Sequence, residues 1–252
     1  MRVIINADDC GYSEQNTSHI KAAIEAGKIT STTIMANMDD VEGALSLYHQ
    51  YHKDISFGCH LNLIEGVPLV YSKELDEFGY YIKQDGKVLF GNAEKFHYKR
   101  LPKEVKRALY NELAAQIRKL QEGGAILSHL DSHSHVHTSP SLFEVIAQIS
   151  KDFNIPKVRR IRNYVSNPLS FAGRQAWVGI SRMYNKNYVF TDYFAIFKEY
   201  FTNPSLRKIK ESDTLELMIH PGHAMESYQK EEQLMLEMTY PENFQLINYK
   251  EL

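Results

Sequence analysis

The sequence predicts an α/β protein: one domain over residues 1–252 in which parallel strands alternate with helices, around seven such units making a closed or nearly closed β/α barrel. Three observations carry this. Short apolar or β-branched runs recur along the chain, stripes at helical spacing separate them, and acids and histidines stand where several of the runs end. Periodicity alone does not distinguish a closed barrel from an open sheet; the number of units favours the barrel.

Val3-Ile4-Ile5 reads as a short buried strand leading to Asp8-Asp9. Ser13 can cap the helix that follows, whose apolar positions Ile20, Ala23 and Ile24 recur at helical spacing until Gly27 stops it. Thr32-Thr33-Ile34-Met35 is β-branched and apolar, a second strand, and Ile55 to Leu63 reads as a third. From about Glu65 to Arg100 the rhythm breaks: this stretch is rich in Gly, Tyr and charge, with Asp85-Gly86 as a tight turn, and suits a lid or rim insertion. Val105, Leu109, Leu113, Ile117 and Leu120 then form a core-facing stripe on a helix entered at Pro102 and ended by Gly123-Gly124. Ala125 to Leu130 is a further strand. Leu142, Val145, Ile146 and Ile149 mark another helix, capped near Ser139 with Pro140 in its first turn, before a short strand at Lys157 to Arg160. Leu215 to Ile219 is a late buried strand and Phe244 to Ile247 the last. There is no internal repeat and no low-complexity tract.

Composition narrows the function. A hydrophobic fraction of 43% and a charged fraction of 24% are those of an ordinary globular chain. The net charge of −2, with Lys and Arg interspersed among acids, lacks the basic stripe of a nucleic-acid binder. No run approaches the roughly 18 apolar residues of a membrane span. Met1 leads straight into an apolar strand without the charged, apolar and small-residue regions of a leader, so a cytoplasmic protein is expected, with Cys10 and Cys59 as free thiols.

Three places put metal-type ligands in or just after an apolar strand: Asp8-Asp9, Cys59-His60 within Gly58-Cys59-His60-Leu61-Asn62-Leu63, and Asp131 with His133, His135 and His137. In a parallel β/α fold the C-terminal ends of the strands converge on one face, so these places can meet. One carboxylate and two neutral imidazoles leave a coordination position open for water, as a catalytic metal requires, and mixed N/O ligation suits Zn or another first-row ion and tolerates Mg. His129, Asp131, His133, His135 and His137 share one parity and would face one side of an extended chain; they cannot all bind one ion, and Asp131 suits the part of a carboxylate orienting an imidazole. His220 follows the late strand onto the same face, where an imidazole suits protonation of a leaving amine. Arg159, Arg160 and Arg162 close another strand, and one of them can pair with a catalytic carboxylate or grip substrate.

Asn6-Ala7-Asp8-Asp9-Cys10-Gly11-Tyr12-Ser13, Ile29-Thr30-Ser31-Thr32-Thr33, Gly58-Cys59-His60-Leu61, His129-Leu130-Asp131-Ser132-His133 and His220-Pro221-Gly222 together resemble the YdjC-like carbohydrate deacetylases, including the chitooligosaccharide deacetylases. The motifs occur in order from Met1 to about His223. The resemblance implies a distorted β/α barrel of about seven strands, a divalent metal usually described as magnesium, and removal of acetyl from sugars such as chitobiose. By position it makes Asp9, His60 and His133 the metal ligands and Asp8 the base; the residues themselves then suggest His220 as the acid and Arg159 as the group that holds Asp8 ionised. Two residues depart from the family pattern: Cys10 where a phenylalanine commonly follows the aspartates, and Ser134 where a histidine often stands. The expected partner is a small N-acetylated sugar, phosphorylated or not, without nucleic acid or membrane, and the reading is compatible with a homodimer. A metal-dependent phosphoesterase or other sugar hydrolase, or a non-catalytic sugar-binding protein, are the competing expectations.

Overall fold

The computed structural model describes residues 1–91, 100–164, 168–203 and 209–252. In chain order the elements are β1 (Arg2–Cys10), α1 (Glu14–Glu25), β2 (Ser31–Ile34), α2 (Val41–Tyr51), β3 (Ser56–Leu61), α3 (Lys73–Glu77), β4 (Tyr81–Gln84), β5 (Lys87–Phe90), α4 (Lys103–Glu122), β6 (Leu130–Ser132), α5 (Phe143–Asp152), α6 (Pro168–Tyr184), β7 (Tyr193–Ile196), α7 (Phe197–Thr202), β8 (Thr214–Ile219), α8 (Glu226–Glu237) and β9 (Gln245–Leu246). Two turns of 3₁₀ helix, His133–Thr138 and Pro140–Leu142, connect β6 to α5.

The main sheet is ordered β6-β3-β2-β1-β8-β7 and every pair in it is parallel, with β9 beside the first residues of β1. The segment from Lys157 to Tyr164 spans from one edge to the other. Val158 bridges Leu130, Lys157 bridges Val189, and the Tyr164 N–H donates to Phe194 O at 3.2 Å. The sheet is thus curled into a distorted barrel, as the sequence predicted.

Alternation along each strand sorts its side chains. Val3, Ile5 and Ala7 of β1 pack outward into the core shared with the helices, as do Leu215, Leu217 and Ile219 of β8. The intervening residues point inward, where Ile4 joins Ile247 and Tyr249 at the N-terminal end of the barrel and polar groups fill the rest. Inside, Asn6 donates to Asp8 and to Thr33. Gly58 of β3 makes room for this interior: a Cβ there would lie 2.6 Å from the His129 ring and 2.7 Å from its carbonyl oxygen.

Several element boundaries shift from the predicted ones. β1 runs through Asp8-Asp9 instead of ending before them, and the ladder expected over Ala125 to Leu130 begins only at Leu130. Lys157 to Arg160 contributes isolated bridges instead of a full strand, since both neighbours meet it at single residues. The stretch beginning at Glu65 forms α3 and the antiparallel β4–β5 hairpin, turned at Asp85 (φ 50°) and Gly86 (φ 74°). Leu75, Tyr80, Tyr81 and Phe90 bury it in the main core, and Glu112 of α4 accepts the N–H groups of Leu69 and Val70. Of the insertion expected over 65–100, residues 92–99 lie outside the described residues.

Candidate active site

The strand ends meet as the parallel topology requires, but the aspartate pair needs a further device. Consecutive strand residues face opposite sides, so Asp8 and Asp9 could not both serve one site in a regular strand. Asp9 takes a left-handed backbone (φ 65°), and the β1–β2 register slips between Ala7 and Cys10. Asp8 keeps the inward direction of Asn6, and Asp9 is re-aimed over the end of the barrel.

There Asp9 Oδ1 lies 3.2 Å from His60 Nε2 and 2.9 Å from His133 Nδ1. The three residues each offer one ligand atom, all within 4.8 Å of one another. The far nitrogen of each imidazole sits on a second carboxylate: His60 Nδ1 is 2.7 Å from Asp131 Oδ1, and His133 Nε2 is 2.8 Å from Glu65 Oε1. Carboxylates behind histidines fix ring orientation and tautomer in metal sites, so the donor set fits a divalent cation. Burial opposes charge on all three residues, yet the carboxylates outweigh it at the histidines, raising His60 to about 10 and His133 to about 9. Hydrogen bonds from His133 and His60 overcome the burial of Asp9 and hold its carboxyl well below the usual range. The inner groups Asp8, His60 and Asp131 also converge, but the Arg159 guanidinium already supplies a positive charge there.

Arg159 is 1% exposed and ties the barrel interior together. Its Nη1 and Nη2 donate to Asp8 Oδ2 and Oδ1, each at 2.6 Å, in a bidentate pair; Nη1 also lies 2.8 Å from Asp131 Oδ2, and Nε donates to Glu216 Oε1 at 2.7 Å. Burial would raise the Asp8 carboxyl, but Arg159 outweighs it and holds Asp8 ionised, below the ordinary carboxylate range. The Arg159 guanidinium also lies 4.9 Å from the centre of the Phe194 ring.

His220 follows β8, the neighbour of β1, and with Ile219 in register with Ala7 it emerges beside the aspartates. Its ring is 4.4 Å from that of Tyr228, and its Nδ1 is buried without a hydrogen-bond partner among the described residues. Burial depresses its pKa, while the charges of Asp8 and Asp9 work in the other direction. The shared parity of the histidine segment holds only to Asp131. After Ser132 the chain turns through left-handed residues at Ser134 (φ 51°) and His135 (φ 56°), which sends the histidines apart. His133 reaches Asp9, and His137 is buried against Ser132 Oγ and the Arg159 carbonyl. His135 faces Phe194, its Nδ1 buried without a partner among the described residues. Arg160 and Arg162 turn away, toward Thr191 and Glu199.

Thus, of the candidates read in the sequence, Asp8, Asp9, His60, Asp131, His133, Arg159 and His220 gather at one end of the barrel. Glu65 and Glu216 belong to the same network and were not foreseen. Glu65 lies at the start of the irregular stretch, and Glu216 is a lone acid inside an apolar strand, which is itself a signal: a buried carboxylate needs a cation.

Comparison with known proteins bears on the family and the fold. A family model described as "YdjC-like protein" matches residues 2–249. A carbohydrate deacetylase of Vibrio parahaemolyticus is 30% identical over 227 residues, covering 89% of this chain and 79% of that one. A carbohydrate deacetylase of Clostridium beijerinckii is 28% identical over an alignment of 269 positions that spans both chains in full. Among solved structures, an Enterococcus faecalis protein described as a cellobiose-phosphate cleavage protein matches with a TM-score of 0.75 at 19% identity, over 99% of this chain and 98% of that one, a likeness in fold.

Proposed function

Because this chain belongs to the YdjC-like protein family, we propose that it is a carbohydrate deacetylase, a hydrolase that removes acetyl from the nitrogen of a small N-acetylated sugar with the help of a divalent metal ion. The relatives named for that activity support the class of reaction. The observation that carries the reading is the division of labour at one strand end. Asp8 is clamped inward by Arg159, while Asp9, one residue on, is turned over His60 and His133.

Asp9, His60 and His133 would hold the ion, which when bound polarises the acetamide carbonyl and acidifies a water molecule. Asp8 accepts the proton of the attacking water. Its protonation does not strand Arg159, because Asp131 and Glu216 remain on the same guanidinium. His220 gives a proton to the departing nitrogen, so water is added across the amide bond and acetate and an amino sugar result. The metal is expected to be magnesium from the family resemblance, with zinc or another first-row ion compatible with the ligands.

The test is acetate release from N-acetylglucosamine oligomers and their 6-phosphates, with and without chelator and with metals added back. Chelation should abolish release and one added metal should restore it. Asp8→Asn should lower turnover at least about a hundredfold while calorimetry still shows metal binding. Release that survives the substitution would remove Asp8 from the reaction, and no release from any of these sugars with any metal would overturn the function.

A further inference from the structure

We infer that Tyr249, in the C-terminal tail, is a positioning residue of the reaction, acting through Glu216 and Arg159 on Asp8 from the opposite end of the barrel. The inference rests on the proposed role of Asp8. Its observations are independent of that role. The Tyr249 hydroxyl donates to Glu216 Oε2 at 2.6 Å, and the other oxygen of the same carboxylate, Oε1, accepts Arg159 Nε–H at 2.7 Å. Arg159 then grips both oxygens of Asp8. Every member of this chain is buried, Tyr249 and Glu216 completely.

The tail is fastened in a way that fixes this hydroxyl. The Tyr249 N–H donates to Ser56 Oγ at 3.1 Å, and its carbonyl accepts Lys157 Nζ at 2.5 Å. Lys250 Nζ donates to the Ile55 carbonyl at 2.9 Å. Ser56 and Lys157 open their segments, so these bonds strap the tail across the N-terminal mouth of the barrel, away from the metal ligands. From there the Tyr249 ring rises into the interior, stacked on His129 with centroids 3.6 Å apart and planes 9° apart.

The physical need for such a fixture comes from competition. One guanidinium serves three carboxylates, Asp8, Asp131 and Glu216. A carboxylate with two free oxygens prefers the bidentate grip on arginine. Tyr249 occupies one oxygen of Glu216, which leaves Glu216 a single bond to Nε and leaves the fork to Asp8. Without the hydroxyl, Glu216 can turn both oxygens to Arg159 and draw it away from Asp8.

Tyr249→Phe keeps the stacked ring and removes only the hydroxyl. It should lower kcat about tenfold, through loss of Asp8 alignment, with KM within about twofold, since no substrate contact is touched. Glu216→Ala, which removes the bond that holds Arg159 Nε–H, should also lower kcat, and Glu216→Gln, which retains an acceptor for Nε–H, should recover most of that loss. In the Glu216→Ala background Tyr249→Phe should cost nothing further, because its only route to Asp8 is gone. Unchanged kcat in Tyr249→Phe, or losses that multiply in the double variant, would overturn the relay. If Tyr249→Phe does not fold, equal kcat in Glu216→Ala and Glu216→Gln overturns it instead. An inactive wild type sinks the proposed function; an active wild type indifferent to Tyr249→Phe sinks the relay alone.

Discussion

Arg159→Lys keeps a positive charge in the barrel and removes the fork. The guanidinium makes contacts at 2.6, 2.6, 2.7 and 2.8 Å with oxygens of three different carboxylates. A lysine carries its donors on a single nitrogen and cannot meet both oxygens of Asp8 together with Glu216 and Asp131. Losing two of these charge-assisted bonds, at about 1.5–3 kcal/mol each, costs about 3–6 kcal/mol. The retained charge offsets part of this, leaving about 2–4 kcal/mol, less than the roughly 3–5 kcal/mol of removing one partner of a buried ion pair outright. A domain stable by about 5–15 kcal/mol should still fold. Urea unfolding of both proteins at pH 7, with equal m-values, reads the difference directly. A loss below about 1 kcal/mol would refute the reasoning, because it would mean that the charge and not the fork satisfies the interior.

Three further outcomes are expected. Glu65→Gln removes the charge behind His133 Nε2 and should weaken binding of the activating metal about tenfold, measured by calorimetric titration; unchanged affinity would make Glu65 a bystander. Gly58→Ala drives a Cβ into the His129 carbonyl and ring, and should lower stability by about 1–3 kcal/mol in thermal or urea unfolding, so an unaltered protein would contradict the close approach. Metal-free protein should be most stable near pH 6.5, the ordinary histidine value. Below it, His129 and His137, whose pKa values burial depresses, gain protons in the unfolded chain first, and stability falls by about 1.4 kcal/mol per pH unit for each. Above it, His60 and His133, raised to about 10 and about 9, hold protons that the unfolded chain has lost, and stability falls again as pH rises through those values. Bound metal should remove the alkaline limb by displacing those protons. A flat alkaline limb in metal-free urea titrations would contradict the charge assigned to the pair.

The strands that read clearly in the sequence are those with apolar or β-branched residues at both parities, such as Thr32 to Ile34 and Leu215 to Ile219, because they are covered by helices outside and by barrel contents inside. α8 was not legible for a related reason. Its buried positions are Glu231, Glu232 and Met235, so it carries no apolar stripe, and its glutamates bond backbone N–H groups of Lys198 and Gly222. α2 does carry a stripe, with Val41, Ala44, Leu45 and Tyr48 buried, and a closer count of spacing would have found it. At the site, residue types at strand ends marked the places that meet, while the choice of His133 over His135 and His137, and of Asp9 over Asp8 for the metal, came from the family resemblance. Partner assignment was not legible, since Glu65 reaches His133 only through the irregular stretch after β3, and Tyr249 meets Glu216 from 33 positions away.

The backbone at Asp9 explains why two adjacent aspartates are useful. Left-handed φ at a residue with a Cβ costs about 1–2 kcal/mol, although aspartate tolerates it better than most. A regular strand would have avoided that cost and sent Asp9 outward, among the helices, where its charge would have had no partner. The bulge instead places two carboxylates on one end of the barrel with different neighbours, Asp8 on a buried guanidinium and Asp9 on two imidazoles. The different roles proposed for them follow from that difference in partner. Were Asp9 to relax into the strand, both histidines would lose the carboxylate that gathers them while Asp8 kept its arginine. Metal affinity should therefore be more sensitive than the Arg159 network to any substitution that restores regular β1–β2 pairing.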